Sequence, residues 1–293
     1  MTQEKQLTVH EPATLLPFLL ARLSGKGRNK VKSLLTHRLV LVDGRVVTRH
    51  DHPLQPGQTV TVLAGRQADK DALLGVRILY EDDDLIVIDK PPGLLSIAAE
   101  PERERTAYHV LTAYVQRRDG QGRIFVVHRL DRDTSGVMMF AKRETIQQRL
   151  QENWHEMVTD RVYVAVVEGT LSQPEGRITS WLKESKTKTM YVARPGDGQK
   201  AVLHYRVLQQ GPSYALVEVR LDTGRKNQIR VQMQSIGHSV AGDKRYGARK
   251  NPLGRLALHA RVLAFRHPVT GQEVRFETPI PASFRRLVSS AGE

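Results

Sequence analysis

The run Leu85-Ile86-Val87-Ile88-Asp89 is the segment that most limits how this chain can fold. It is apolar at successive positions and rich in β-branched side chains, which fits a strand covered on both faces. Lys90-Pro91-Pro92-Gly93 then ends it in a stiff turn. Comparable strand runs are expected at Ile124 to Val127, at Gly136 to Ala141, and over 161–168, 202–208 and 214–221. Helical spacing lies between them. Ala107, Val110, Leu111, Tyr114 and Val115 share a face after Thr106, and Ile146, Leu150 and Trp154 mark a helix expected from Glu144 to about Met157. Regular strand-helix-strand alternation and internal repeats are both absent, so the pattern predicts an α+β fold dominated by strands.

The chain has 293 residues, room for two domains. Residues 1–13 are polar and aperiodic, which predicts a loose tail. Leu15, Leu16, Leu19, Leu20 and Leu23 then line one short helix, and Val31, Leu34 and Leu35 a second. Val40 and Val42, Asp43-Gly44, and Val46-Val47 spell a hairpin, with a further strand from Thr59 to Leu63. The expected organisation is a small α/β domain over 14–64, a linker over 65–75 and a larger domain over 76–293.

Lys and Arg total 45 against 31 Asp and Glu, a formal charge of +14. On a folded surface such a surplus attracts polyanions, nucleic acid first and anionic membrane second. Lys26, Arg28, Lys30 and Lys32 gather near the start of the second helix, where backbone N–H groups also favour phosphate. The same cations would serve as an ordinary solvated face. With aromatics at only 5% of the chain, folded RNA is a better fit than extended single strands. The chain has no cysteine, which excludes disulfides, a thiol nucleophile and thiolate metal sites. It also lacks the phosphate-loop, dinucleotide, H-E-x-x-H and G-x-S-x-G patterns, so neither cofactor nor metal is expected. The most apolar early stretch, from Leu15 to Ala21, is far shorter than the ~20 residues of a membrane span. A cytoplasmic protein without a membrane partner is the expectation, and the basic surface favours a monomer.

The segment His128-Arg129-Leu130-Asp131-Arg132-Asp133-Thr134-Ser135-Gly136 lies between two apolar strands. It reads either as a surface crossing whose Asp and Arg neutralise one another, or as a loop placing catalytic groups at the edge of a rigid sheet. An aspartate among arginines suits a nucleophile or base better than a general acid.

That segment, continued to Lys142, resembles the signature of the RluA-type family of RNA pseudouridine synthases. Further matches follow in order: Glu81 to Leu94, Arg161-Val162-Tyr163-Val164-Ala165, Leu221 to Arg230, Gly242-Asp243-Lys244-Arg245-Tyr246-Gly247, and Leu258-His259-Ala260. The similarity spans about 76–281. Residues 14–64 resemble the S-four RNA-binding domain through the stretch Leu23 to Leu35, Val42-Asp43-Gly44 and Leu54-Gln55-Pro56-Gly57. The resemblance implies a bent, mixed, mostly antiparallel sheet flanked by helices and loops, with a cleft across its middle. It implies isomerisation of a uridine in structured RNA, ribosomal or transfer, without a cofactor. It assigns Asp131 as the catalytic aspartate, Tyr163 as the aromatic against the uracil, and Arg230 as the basic partner of Asp131. Arg129 matches a residue that fills the space left by the extruded nucleotide, and His128, Lys90, Arg225 and Gln228 join it as substrate contacts. Asn227 and Gln232 stand where the family commonly has His, and Arg161 where Lys is frequent, changes that could alter RNA contacts. The alternative reading is a non-catalytic RNA-binding or ribosome-assembly factor.

Overall fold

The computed structural model describes residues 5–23, 27–36, 39–62, 73–98 and 106–290. The chain divides into two compact units, Met1–Gly75 and Val76–Glu293.

The first unit runs β1 (Lys5–Thr8), β2 (Ala13–Thr14), α1 (Leu15–Arg22), α2 (Arg28–Thr36), β3 (Val40–Val42), β4 (Arg45–Val46), β5 (Pro53–Leu54) and β6 (Thr59–Val62). Its four-stranded sheet has the order β1-β6-β3-β4, and β2 pairs with β5. Leu15, Leu19, Val31, Leu35, Val40 and Val60 close the core between helices and sheet. Asp43 and Gly44 both have positive φ, 49° and 77°, the geometry that a two-residue hairpin needs to follow strand twist. The tail expected over 1–13 is corrected: Lys5–Thr8 pairs antiparallel with Thr59–Val62, and Val9 is 1% exposed. Two apolar side chains, Leu7 and Val9, suffice to dock this short edge strand. Lys26 and residues 65–72 of the expected linker lie outside the described residues, as does the side chain of Lys30.

The second unit runs β7 (Arg77–Glu81), β8 (Leu85–Lys90), α3 (Ala107–Asp119), β9 (Phe125–Val126), β10 (Ser135–Ala141), α4 (Glu144–Glu152), α5 (Trp154–Met157) and β11 (Val158–Glu168). It continues with β12 (Glu175–Glu184), β13 (Met190–Ala193), β14 (Gln199–Gln210), β15 (Tyr214–Leu221), α6 (Gln228–Ser235), β16 (Leu258–Arg266), β17 (Glu273–Glu277) and α7 (Ala282–Ser290). One large sheet has the order β13-β12-β14-β15-β11-β16-β10-β8-β7, with β9 and β17 branching from β10 and β16. The fold is therefore α+β with a mixed, mostly antiparallel sheet; β10 and β16 run parallel, Ser135 beside His259 and Gly136 beside Ala260.

Apolar side chains of β11 and β15 pack with Ile229 and Met233 of α6 and Phe284 and Val288 of α7. Leu85, Val87, Val137 and Met139 instead meet Ile146 and Leu150 of α4. The helix expected over 144–157 is two pieces, because Asn153 leaves helical geometry at φ −106° and ψ 26°. Strands β12 and β17 were not expected. β17 alternates apolar with charged residues over only five positions, and β12 mixes Gly, Thr, Ser and charged residues with a few apolar ones, so both carry a weak signal.

Candidate active site

The loop before β10 carries Asp131, and it is fixed at several points. Ser96 Oγ donates to the Leu130 carbonyl at 2.7 Å and accepts the Leu130 N–H at 3.1 Å. Lys90 Nζ donates to the carbonyls of Pro91, Leu94 and Arg132 at 3.1, 2.6 and 3.0 Å. At the far end Arg255 Nη2 donates to Ser135 Oγ at 2.8 Å, and that hydroxyl lies 2.9 Å from His259 Nδ1. Gly136 has φ 111°, and a Cβ there would collide with the Ala260 carbonyl, so only glycine allows β10 to lie parallel against β16.

Asp131 is thereby presented to the start of α6. Its Oδ2 accepts from Arg230 Nη1 at 3.0 Å, with the two side chains 33% and 14% exposed. Tyr163 of β11 lines the same hollow, about 390 Å³, with Arg129, Leu130, Thr134, Leu221, Arg225 and Asn227 among its other walls. A second hollow of about 1220 Å³ shares Arg129, Asp131, Asn227 and Arg230 and adds Lys226, Lys244 and Arg245. The acid and its arginine thus stand where a small, partly apolar recess opens into a wider basic one.

Burial alone would lower the Arg230 guanidinium, but hydrogen bonds and charge from Asp243, then Asp131, outweigh it and raise it above the ordinary arginine value. It stays a cation. Burial pushes the Tyr163 phenol up to about 12, with Arg161 opposing and Asp131 adding, so its ring is a neutral flat surface at neutral pH. Arg161 Nη2 donates to the carbonyls of Leu221 and Asp222, both at 3.0 Å, which anchors the loop that leads into α6.

The structure brings Asp131, Arg230, Tyr163, Arg129 and Arg225 to one cleft, leaves Gln228 on its border, and corrects the expected substrate contacts of Lys90 and His128. Lys90 is fully buried and spends its donors on three carbonyls, so it holds the Asp131 loop. Gln228 is 3% exposed. Its Oε1 accepts from Thr223 Oγ1 and the Arg225 N–H while Nε2 donates to the Val202 carbonyl, so it folds the 223–228 turn although it borders the hollow. His128 turns inward, with Nε2 accepting the Met139 N–H at 3.1 Å and its ring against Trp154. Burial, then Arg161, lowers this imidazole to about 4, so it is neutral.

Gln232 is fully buried and donates to Ser180 Oγ and the Ala201 carbonyl, so its departure from histidine does not touch the cleft. Asn227 does: Oδ1 accepts from Arg230 Nη1 at 3.2 Å and Nδ2 donates to Tyr246 Oη at 2.9 Å. Asp243 and Tyr246 were missed as site residues, although their segment supported the resemblance, because Gly242 to Gly247 reads as an ordinary charged loop. In the first unit Arg28 and Lys32 are exposed on α2. Asp82, Asp84 and His267 form a cluster with metal-ligand spacing. Asp82 Oδ1 accepts the N–H groups of Asp84 and Leu85 and Oδ2 accepts from Tyr80 Oη and lies 2.9 Å from His267 Nε2, while Asp84 pairs with Arg143. These groups brace a turn.

The family described as "RNA pseudouridylate synthase" matches residues 84–235. "Uncharacterized RNA pseudouridine synthase YlyB" of Bacillus subtilis (strain 168) is 35% identical over 280 residues, 93% of this chain and 92% of that protein. "Ribosomal large subunit pseudouridine synthase D" of Vibrio cholerae serotype O1 is 34% identical over 271 residues, 87% of this chain and 83% of that protein. Among solved structures, "Human RNA Pseudouridylate Synthase Domain Containing 4" superposes with a TM-score of 0.60 and 25% identity, covering 75% of this chain and 94% of that one.

Proposed function

The chain belongs to the RNA pseudouridylate synthase family and is an isomerase acting on RNA; from that premise we propose that it converts specific uridines of large-subunit ribosomal RNA, with Asp131 as the group that acts at the ribose. The contact that carries this reading is Asp131 Oδ2 to Arg230 Nη1, 3.0 Å, in a hollow that Tyr163 also lines. A uridine within a helix is out of reach, so it must turn out of the stack. Its uracil enters the smaller hollow against the Tyr163 ring. The strand on either side runs over the wider recess beside Lys226, Lys244 and Arg245, where phosphates meet cations. Arg129, exposed at the rim, occupies the emptied position in the stack.

The bond from C1′ to N1 breaks, the base turns, and C1′ bonds to C5. The hydrogen on C5 leaves as a proton and N1 gains one, so composition is unchanged and no redox step is involved. Asp131 acts as nucleophile at C1′ or as base at the adjacent hydrogen, and Arg230 offsets its charge and fixes its orientation. Ribosomal RNA is favoured by the relatives named as large-subunit synthases. The first unit, with Arg28 and Lys32 exposed on α2, serves as an S-four-like RNA-positioning module. Among the described residues no helix is long and apolar enough to cross a membrane. The proposed enzyme acts in the cytoplasm as a monomer, its surplus of positive charge opposing self-association.

Chemical mapping of pseudouridines in ribosomal and transfer RNA, from a strain lacking the gene and from its parent, tests the substrate. Loss of ribosomal sites is expected, and loss confined to transfer RNA would refute the ribosomal assignment. Purified Asp131→Asn should bind RNA yet convert none; turnover at the wild-type rate would remove Asp131 from the mechanism.

A further inference from the structure

Arg230 is held from three sides. Its Nε donates to Asp243 Oδ2 at 2.6 Å and its Nη2 to Asp243 Oδ1 at 2.8 Å. Its Nη1 donates to Asp131 Oδ2 at 3.0 Å and to Asn227 Oδ1 at 3.2 Å. The ring of Tyr246 lies 4.8 Å from the guanidinium carbon. A carboxylate that meets an unhindered guanidinium prefers two parallel hydrogen bonds. Here the Asp243 carboxylate, 1% exposed, has taken one full edge of the fork. Asp131 receives a single hydrogen bond, and its Oδ1 takes none from any described residue.

We infer that Asp243 and Asn227 are positioning residues for the reaction: they hold Arg230 so that it touches only Oδ2 of Asp131 and leaves Oδ1 open towards the ribose. A carboxylate clamped through both oxygens would have one lone pair of each oxygen occupied, neither oxygen left free of the cation, and would be a poorer nucleophile or base. The claim rests on the reading that Asp131 acts at the ribose.

Asn227 is shaped for the task. Its φ is 53°, left-handed backbone that asparagine tolerates better than most residues, at the position just before α6. That bend directs both ends of the amide to use. Arginine has only donors, so Oδ1 must face Arg230. Nδ2 then faces Tyr246 Oη, which also accepts the Met190 N–H at 3.1 Å. The tyrosine that covers the guanidinium is thus held in place by the residue that shares Nη1 with Asp131. Asp243 is itself set by backbone geometry, since its carbonyl accepts the N–H groups of Tyr246 and Ala248, both at 3.0 Å.

The test uses the full-length protein and unmodified large-subunit ribosomal RNA transcript labelled with tritium at uridine C5. Tritium release is followed under single turnover at saturating enzyme, and RNA affinity is measured separately. Asp243→Asn, nearly isosteric, should lower the rate constant by on the order of 10²-fold and change Kd by less than about twofold. Asn227→Gly keeps the left-handed backbone without strain and should lower the rate about tenfold, again with little change in Kd. Thermal melting of each variant reports whether it is folded. A full rate in both variants overturns the inference. So does a parallel fall in rate, affinity and folded fraction, which is what mere structural damage would give. Asp131→Asn is run alongside: if it turns over, the underlying reading fails, and if it is inactive while Asp243→Asn keeps the full rate, only the present inference fails.

Discussion

Lys90 Nζ donates to the Arg132 carbonyl at 3.0 Å and so joins the end of β8 to the loop that carries Asp131. An ammonium with no exposed surface is costly to bury, and burial lowers Lys90 to about 8, against opposition from Asp133 and Asp131. Its three carbonyl acceptors recover that cost and fix the distance between the Pro91–Leu94 turn and the Asp131 loop.

Lys90→Met would leave those carbonyls without their donor while filling most of the volume. The expected loss is about 3 kcal/mol of stability, with slower single-turnover conversion because the Asp131 loop loses a support. Urea unfolding together with tritium release checks this. An unchanged unfolding midpoint would show that the ammonium is not structural.

Gly136→Ala combines a left-handed φ with a collision against the Ala260 carbonyl. Both faults act where β10 runs beside β16. We expect a loss of about 3–5 kcal/mol, or failure to fold, read from soluble yield and thermal melting. A variant within 1 kcal/mol of wild type would contradict the parallel register.

His259 sets a pH dependence of stability. Burial, then Arg255 and Arg261, lowers it from 6.5 to about 4. Ser135 Oγ, which accepts from Arg255, donates to Nδ1, and Nε2 faces Thr278 Oγ1 at 2.9 Å, so the neutral ring is the one the site accommodates. Between pH 6.5 and 4 the unfolded chain binds the proton and the folded chain does not. Stability from this group is therefore intact above pH 6.5 and declines as pH falls, by about 2 kcal/mol at pH 5. His259→Asn should be less stable at pH 7.5 but lose less on going to pH 5. Urea titrations at both pH values decide it, and an equal loss in the two proteins would refute the assignment.

RNA affinity should fall linearly with salt on logarithmic axes, because phosphate contacts dominate. Arg28→Ala and Lys32→Ala should each weaken binding across sequences and reduce the slope by about 1. Filter binding over a salt series measures both, and an unaltered slope would remove α2 from the RNA interface.

Some of this architecture was legible in the residues alone. The apolar runs marked β8, β10, β11 and β15, and the ionic segment between apolar strands marked the loop of Asp131. Motif order brought forward Tyr163 and Arg230, which lie far apart in the sequence yet line one hollow. Direction was harder to read. Lys90, His128 and Gln228 sit beside the informative motifs, but a sequence does not show whether a polar side chain turns towards solvent or towards a neighbouring carbonyl. Asp243 and Tyr246 were hidden for a related reason: their partners Arg230 and Asn227 become neighbours only when the turn before the Leu258 strand folds over the start of α6. Edge strands such as Lys5–Thr8 carry too few apolar residues to stand out from a tail.

The side-by-side placement of Ser135 and His259, 124 positions apart, has a consequence during protein synthesis. A nascent polypeptide that has exposed everything through Arg230 still lacks the segment on which the Asp131 loop rests, and closing so distant a pairing is among the slower events of folding. Competence to modify RNA thus arrives only after the strand that carries His259 has been made.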